Sequence, residues 1–279
     1  MTIWRLLPFT CPPAPENMAI DEAVFLHCRS KASPPTLRFY GWQSPAVSVG
    51  YFQDIHKDID LEACRRLSVN VVRRPTGGKA VFHDGDFTYA LVALDHDHGF
   101  PPDILGTYRL ISRCLFRGLA ELGIEADMAL EGRTREDIPA KASCFALPSK
   151  YEILVKGRKL CGSAQVRSQG TFLQHGSLLV DFDPFRTYEL MIPHDQDRDD
   201  QIARLQQSVT SLCDHLDPPP TMAEICRVMK KGFETILGIQ LVEDHLTKEE
   251  EKLKTLLLEQ KYQNEEWTLK GKGTPSRSF

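Results

Sequence analysis

Alternating apolar and polar positions recur in short segments along the chain and predict most of its strands. Segments of this kind lie at 3–7, 36–40, 46–51, 69–73, 87–94 and 239–242. The segment 151–177 adds three antiparallel strands, because Lys156-Gly157 and Gln169-Gly170 are typical of tight hairpin turns. Strands interspersed with helices and joined by hairpin-like connections favour an α+β fold with a mixed, largely antiparallel sheet flanked by helices.

Apolar residues at helical spacing predict the remaining elements. The predicted helices cover 16–29, 60–67, 103–122, 201–216, 222–236 and 247–262. Gly123 is expected to close the longest of them, and the three prolines at 218–220 to end the helix that begins at 201. Thr221 and Glu224 form a capping-box pattern that starts the next helix. The tail after Lys270 is expected to fray.

Composition narrows the class of protein. A chain of 279 residues with 42% hydrophobic residues can bury a full core without disulfides or metals, as one large domain or one domain with an appendage. A net charge of −4 argues against a general nucleic-acid binder. The 8 cysteines lack paired spacing, and no apolar run is long enough for a membrane span or a signal peptide. We therefore expect a cytoplasmic protein with free thiols and no membrane partner.

A cysteine and a lysine flank the first strand of the predicted meander. Cys144 precedes it and Lys159 follows its first turn, so the two side chains can meet across it. A cation beside a thiol makes the thiolate available near neutral pH. The alternatives are an inert Cys144 and a solvated Lys159 at the turn. Cys161 competes as a nucleophile, but its position in mid-strand favours packing.

Two histidines are candidates for acid–base chemistry. His83 and His175 each suit proton transfer, and each equally suits a hydrogen-bonded core histidine. Asp84, next to His83, faces the other side of a strand, so adjacency alone does not make it a partner of His83. No metal site is expected, since His96 and His98 lack companion ligands at suitable spacing.

Two adjacent glycines mark a second informative stretch. The run Arg-Arg-Pro-Thr-Gly-Gly-Lys-Ala-Val-Phe-His-Asp occupies 73–84, between apolar strands. Gly77 and Gly78 let the main chain bend sharply and approach a ligand closely. The alternative is an ordinary strand–turn–strand with a solvated Lys79.

Several motifs together resemble a known superfamily. The run at 73–84, Tyr-Glu-Ile at 151–153, Gly-Arg-Lys-Leu-Cys-Gly-Ser-Ala-Gln at 157–165 and Gln-His-Gly-Ser at 174–177 are similar to motifs of the lipoate ligase and octanoyltransferase superfamily, which shares its fold with biotin protein ligase. The resemblance runs in order from about residue 4 to 267. It implies a lipoate ligase-like acyltransferase catalytic domain over 1–245, followed by a C-terminal helix and tail at 246–279.

Three features distinguish branches within that superfamily. ATP-dependent ligases carry a third glycine where this chain has Lys79. Cys144, with Lys159 fifteen positions on, is similar to the cysteine-dependent octanoyltransferases of bacteria such as the bacilli, as is the Asn-Glu-Glu-Trp run at 264–267. The classical octanoyltransferase places its cysteine after the His-Gly motif instead.

This resemblance implies a two-step acyl transfer. Octanoyl-acyl carrier protein would acylate Cys144, and a lysine of a lipoyl domain, such as that of the glycine-cleavage H protein, would take the octanoyl group as an amide. Lys159 would lower the pKa of Cys144 and hold the acyl carbonyl. The implied substrate-binding residues are Arg74, Gly77, Gly78, Lys79, His83, Gly162, Ser163, Ala164, His175 and Gly176. Neither ATP nor a metal is expected, since the donor brings its own phosphopantetheine thioester.

Other functions remain open at this stage. They are an ATP-dependent lipoate–protein ligase, an octanoyl amidotransferase acting between lipoyl domains, a silent acyl-binding module and a cysteine hydrolase. Lys79 is further expected to contact the phosphate of the carrier's phosphopantetheine arm.

Overall fold

A computed structural model describes residues 2–30, 33–95, 99–129, 152–191 and 197–271. Across these ranges the chain forms two sheets, whose strands are β1 (Thr2–Thr10), β2 (Thr36–Tyr40), β3 (Ala46–Val49), β4 (Asn70–Arg73), β5 (Val81–His83), β6 (Phe87–Leu94), β7 (Asp127–Met128), β8 (Ile153–Val155), β9 (Arg158–Ser168), β10 (Thr171–Leu178) and β11 (Ile239–Glu243). The larger sheet has the order β11-β1-β2-β6-β10-β9-β8-β7 and the smaller β4-β3-β5.

Both sheets are mixed. In the larger sheet β11 and β2 run parallel to β1, and every pairing from β2 to β7 is antiparallel. In the smaller one β3 pairs parallel with β4 and antiparallel with β5. The predicted α+β architecture with a mixed, largely antiparallel sheet is therefore confirmed.

The turn residues determine the conformation of the central meander, which consists of β8, β9 and β10. Lys156 and Gly157 have φ values of +51° and +76°, and Gln169 and Gly170 of +50° and +74°. Two successive left-handed residues give the turn whose twist matches that of a hairpin. The predicted three-strand arrangement of β8, β9 and β10 is confirmed, and it places Lys159 opposite Leu154.

Helices cover both faces of the larger sheet. They are α1 (Ala14–Arg29), α2 (Ile55–Asp58), α3 (Leu61–Arg66), α4 (Ile104–Glu121), α5 (Pro184–Leu190), α6 (Arg198–Ser208), α7 (Met222–Leu237), α8 (Lys248–Leu257) and α9 (Glu265–Lys270). The main core lies between the sheet and the pair α4 and α7, and a second apolar cluster joins α1 to β2, β6 and β10. The predicted capping box of Thr221 and Glu224 starts α7. None of the described helices combines the length and apolar character needed to cross a bilayer.

The prediction of one helix over 201–216 is wrong at its C-terminal half. Helix α6 ends at Ser208, and the next two residues run along β9 instead: Val209 bridges Lys159, and the Thr210 N–H donates to the Lys159 carbonyl oxygen at 2.9 Å. Sheet hydrogen bonding thus overrides the helical pattern. Its consequence is a second backbone anchor for Lys159.

The C-terminal segment docks onto the rest of the chain through buried arginines. Helix α8 packs against α1, and its Glu250 forms a buried ion pair with Arg5 at 2.6 Å. The guanidinium of Arg73 donates to carbonyl oxygens of α9, while the indole N–H of Trp267 donates to the Arg73 carbonyl oxygen at 3.0 Å. Helix α9 was not predicted, and the division of the chain at 245/246 stays a prediction.

Candidate active site

A pocket opens between the two sheets and gathers most of the predicted site residues. Its lining consists of Met18, Tyr40, Trp42, Ser48, Arg74, Gly78, Lys79, Ala80, Val81, His83, Thr88, Glu152, Lys159, Gly162, Ser163, Ala164, His175, Gly176 and Ser177. Every predicted site residue that the structure describes is in this set except Gly77. Cys144 lies in the range 130–151, outside the described residues.

Arg74 fixes the conformation of the glycine loop, the segment 76–79 that contains Gly77 and Gly78. Its Nη2 donates to the carbonyl oxygens of Gly77 at 2.9 Å and Lys79 at 2.7 Å, and its Nη1 donates to the Ser48 carbonyl oxygen at 2.9 Å. Burial lowers the pKa of Arg74 to about 10, which leaves it charged at neutral pH. Apart from a hydrogen bond of 3.2 Å to Ser48 Oγ, its described donors serve the main chain, so Arg74 shapes the pocket rather than presenting an open guanidinium to it.

The two glycines of this loop differ in what they require. Gly78 has a φ of +92°, and a Cβ there would lie 2.9 Å from Arg74 Nη2. A Cβ on Gly77 would meet nothing within 4 Å, and Gly77 contributes its carbonyl oxygen to Arg74. The predicted close approach of the main chain therefore depends on Gly78.

His83 is fixed by contacts at both ring nitrogens. Nδ1 lies 2.8 Å from Asp86 Oδ2, Nε2 lies 2.8 Å from Ser48 Oγ, and the Trp42 ring stacks on the imidazole with centroids 3.9 Å apart. Asp84 instead forms an ion pair with Arg186, as the alternation along the strand indicated. Asp86 was missed. The signal that could have identified Asp86 is a tight turn after β5, which brings the third residue after His83 back to its imidazole.

His175 likewise has hydrogen-bond partners at both ring nitrogens. Its Nδ1 lies 3.2 Å from Asp21 Oδ2 and its Nε2 lies 2.7 Å from Thr76 Oγ1. Asp21 in turn pairs with Arg38 at 2.7 Å and accepts a hydrogen bond from the Tyr40 hydroxyl at 2.9 Å. Burial lowers the pKa of His175, and we infer a neutral imidazole at pH 7. The geometry thus favours the core-histidine alternative for both histidines.

Lys159 is positioned at the pocket by an ion pair with Glu152 and by the space that Gly162, which has no side chain, leaves beside it. Its Nζ lies 2.7 Å from Glu152 Oε1, and only 13% and 8% of the two side chains are exposed. A Cβ on Gly162 would lie 3.0 Å from Lys159 Cε and 3.2 Å from Nζ, so this glycine leaves the space that the ammonium occupies. Glu152 was quoted within a motif but not recognised as the partner of Lys159. Both residues flank one hairpin, which is the signal that could have found the pair.

Cys161 packs, as its mid-strand position predicted. Its side chain is buried within the main core cluster. Burial raises the pKa of this thiol to about 12, and the nearby Lys159 cation offsets only part of that increase. A thiol of this kind is almost wholly protonated at neutral pH, so Cys161 is a poor nucleophile.

Gly176 allows two polar side chains to meet beside the pocket. The Tyr89 hydroxyl lies 2.8 Å from Ser163 Oγ and accepts a hydrogen bond from Gln174 Nε2 at 2.9 Å. A Cβ on Gly176 would lie 2.4 Å from Ser163 Oγ and 2.7 Å from Tyr89 Cε1. The glycine after His175 therefore sets the close packing of β9, β10 and β6.

The pocket suits a reaction in which negative charge develops on an oxygen beside an apolar group. Lys79 and Lys159 supply ammonium groups along its lining, while Met18, Trp42, Ala80 and Val81 supply apolar surface. Preorganised cations stabilise the oxyanion that forms during acyl transfer. We infer acyl chemistry on a substrate with an apolar tail.

Comparisons with known proteins agree with this geometry. Residues 13–234 match the family model described as the lipoyl protein ligase A/B catalytic domain. The protein named octanoyltransferase LipM of Kyrpidia tusciae is 42% identical over 272 residues, covering 96% of this chain and 98% of that protein. The protein of the same name from Bacillus subtilis is 36% identical over 272 residues, with coverages of 96% and 98%.

A solved structure confirms the fold. The bipartite lipoate protein ligase from Thermoplasma acidophilum, studied with its E2 lipoyl domain, superposes with a TM-score of 0.83 at 26% identity, covering 99% of this chain and all of that one. The predicted lipoate ligase-like fold is therefore confirmed.

Proposed function

Because the chain belongs to the lipoyl protein ligase A/B catalytic domain family, we propose that it is an octanoyltransferase that acts on a lysine of a lipoyl domain. The relatives named octanoyltransferase LipM match it over nearly its whole length, which confirms the resemblance inferred from the motifs. The observation that carries the proposal is the Lys159 ammonium, held by Glu152 at 2.7 Å in the lining of a pocket.

The proposed donor is octanoyl-acyl carrier protein, and the proposed nucleophile is Cys144. The Cys144 thiolate attacks the thioester carbonyl carbon, a new C–S bond forms, and the carrier's phosphopantetheine thiol leaves after taking a proton. Lys159 stabilises the thiolate before attack and the oxyanion during it, because a positive charge favours the charged form of a thiol and of a tetrahedral intermediate.

The second step transfers the octanoyl group to an amine. The acceptor lysine attacks the acyl-enzyme, an amide C–N bond forms, and the Cys144 sulfur leaves and is reprotonated. We propose the glycine-cleavage H protein as the acceptor. Amide formation from a thioester runs downhill, and exchange of one thioester for another is nearly thermoneutral, so neither step needs activation by a nucleotide. We therefore propose that the reaction uses no ATP and no metal.

Lys79 provides a separate point of contact for the donor. It replaces the third glycine of the ATP-dependent ligases and lies exposed at the pocket. We propose that its ammonium binds the phosphate of the phosphopantetheine arm. A Lys79→Ala enzyme should then show a KM for octanoyl-carrier protein raised about tenfold at unchanged kcat, the effect of losing one charge-assisted hydrogen bond.

A control for this test is Lys57→Ala, because Lys57 is an exposed lysine of α2 that does not line the pocket. It should leave the KM unchanged. Equal KM values for Lys79→Ala and the parent enzyme would refute the phosphate contact without touching the proposed transferase activity.

The activity itself is tested with purified components. We expect the enzyme to move octanoate from octanoyl-carrier protein to an apo lipoyl domain in the absence of ATP, seen as one octanoyl mass increase of the domain. The alternative is an ATP-dependent lipoate–protein ligase, and it draws support from the likeness to the Thermoplasma acidophilum protein, which is named a lipoate protein ligase. Domain acylation that occurs only with free lipoate or octanoate and ATP would overturn the proposal in its favour.

A further inference from the structure

Glu152 is the one acidic side chain among the described residues that line the pocket. Its Oε1 lies 2.7 Å from the Lys159 ammonium. Its Oε2 is shielded from water and has no hydrogen-bond partner within the described part of the chain. A buried carboxylate oxygen without a donor destabilises the site, so a ligand that brings an N–H group to it would be bound favourably.

The two histidines of the pocket, which could also accept a proton, already have hydrogen-bond partners at both ring nitrogens. His83 has Asp86 and Ser48 at its two ring nitrogens, and His175 has Asp21 and Thr76. The remaining ionisable side chains of the described lining are cations or the phenol of Tyr40, whose pKa burial raises well above its usual value. Asp86 Oδ1 is a second carboxylate oxygen without a hydrogen-bond partner, but Asp86 does not line the pocket.

A lysine acceptor poses a specific chemical problem. At neutral pH its amine is an ammonium ion, which is not nucleophilic, so it must lose a proton close to the acyl group. A site for it needs a carboxylate that attracts the ammonium and takes its proton. A second cation nearby helps, because it makes the charged form of the acceptor less favourable.

We propose that Glu152 Oε2 binds the ammonium group of the acceptor lysine and accepts its first proton, with Lys159 on the neighbouring oxygen. This inference rests on the proposed octanoyl transfer. One N–H bond of the acceptor breaks and an O–H bond forms on Glu152. The neutral nitrogen then attacks the thioester carbonyl carbon, the C–S bond breaks with its electron pair on sulfur, and the second nitrogen proton passes to that sulfur. The products are an amide and a thiol, and protonated Glu152 releases its proton to water.

The inference is tested by discharging a preformed octanoyl-enzyme with two different nucleophiles. An apo lipoyl domain presents an ammonium that must be deprotonated, whereas hydroxylamine is mostly uncharged at pH 7 and needs no base. Glu152→Gln keeps an oxygen for Lys159 but cannot take a proton. Any loss of Lys159 positioning in this variant should slow both nucleophiles alike, so the readout is the ratio of the two discharge rates. We expect Glu152→Gln to slow discharge by the lipoyl domain about 100-fold more than discharge by hydroxylamine.

A matched control is Glu121→Gln. Glu121 also pairs with a lysine at 2.7 Å, that of Lys231, but it lies on α4 away from the pocket. Both discharge rates should match those of the parent enzyme.

Two outcomes overturn the inference. Equal slowing of both nucleophiles by Glu152→Gln would mean that the residue only positions Lys159 or supports the fold. An unchanged lipoyl-domain rate would mean that it has no part in the second step. If Glu152→Gln does not fold, Glu152→Asp serves instead: it keeps a carboxylate one methylene farther from the acceptor, so a smaller loss, still selective for the lipoyl domain, is expected. A parent enzyme that forms no octanoyl-enzyme refutes the proposed function, a result that is distinct from either outcome.

Discussion

Replacing Gly162 by alanine should lower the activity of the enzyme without lowering its stability. The new Cβ would lie 3.0 Å from Lys159 Cε, 3.2 Å from Nζ and 3.7 Å from Glu152 Oε1. The first two separations are tighter than normal carbon contacts, so the end of the lysine side chain must withdraw by a few tenths of an ångström. Gly162 lies within β9 and is not among the residues with positive φ, so alanine fits its backbone conformation.

The two expected effects have opposite signs. Alanine restricts the unfolded chain, so the free energy of unfolding should stay the same or rise by up to about 1 kcal/mol. Catalysis should fall, because a misplacement of about 1 Å can cost on the order of 100-fold and a smaller one proportionately less. We therefore expect kcat for octanoyl transfer to fall about tenfold, or about 1.4 kcal/mol of transition-state stabilisation.

A double-mutant cycle with Lys159→Ala isolates the cause. If Gly162→Ala acts by displacing Lys159, it should have little further effect on kcat once that lysine is gone. Urea unfolding of each variant provides the measurement of stability. Full activity in Gly162→Ala, or strictly additive losses in the double variant, would refute the role assigned to this glycine.

Three further substitutions test the framework around the pocket. Trp267→Ala removes a buried side chain that binds Arg73 and should cost about 3–5 kcal/mol in urea unfolding; a cost below about 1 kcal/mol would contradict the docking of α9. Gly78→Ala should lower stability by at least about 1 kcal/mol, since its φ is +92°, and a fully stable variant would show that the loop is not constrained. Burial raises the pKa of Glu250, but hydrogen bonds from Arg5 and the main chain outweigh it and lower the pKa from 4.5 to about 2. Because the folded pKa is the lower one, this stability, about 3 kcal/mol, is present above pH 5 and is lost as pH falls towards 2; Glu250→Gln should flatten that part of the pH–stability curve, and an unchanged curve would disprove the link.

Elements with local signals were predictable from the sequence. The two hairpin turns around β9 carry their own geometry in Lys156-Gly157 and Gln169-Gly170, whose φ values are all positive. The capping box at Thr221 likewise fixes the start of α7 by contacts within one turn. The glycine loop and the His-Gly motif, both named from the resemblance, line one pocket in the structure, and their role in binding substrate stays a prediction.

Long-range contacts were not predictable, because nothing near one partner specifies the other. Asp21 and His175 meet from α1 and β10, and Arg73 meets Trp267 across most of the chain. Neither pair has a spacing that a pattern could detect. The end of α6 shows the same limit: its apolar periodicity continues past Ser208, but Thr210 gains a hydrogen bond to β9.

The site residues show the same contrast between what a local motif indicates and what only the folded structure reveals. Lys159 and Gly162 were identified from a motif, whereas the partner that holds the ammonium, Glu152, emerged only from the geometry. His83 and His175 were left open between catalysis and packing, and their neighbours favour packing. The assignment of Cys144 as nucleophile stays a prediction.

Intact-mass spectrometry after mixing the enzyme with octanoyl-carrier protein tests the central claim most directly. The account predicts a gain of one octanoyl group that hydroxylamine removes, absent from Cys144→Ser and slow to form in Lys159→Ala. A hydroxylamine-labile adduct that persists in Cys144→Ser would contradict the assigned nucleophile. Octanoyl transfer to a lipoyl domain without any enzyme adduct would contradict the two-step mechanism itself.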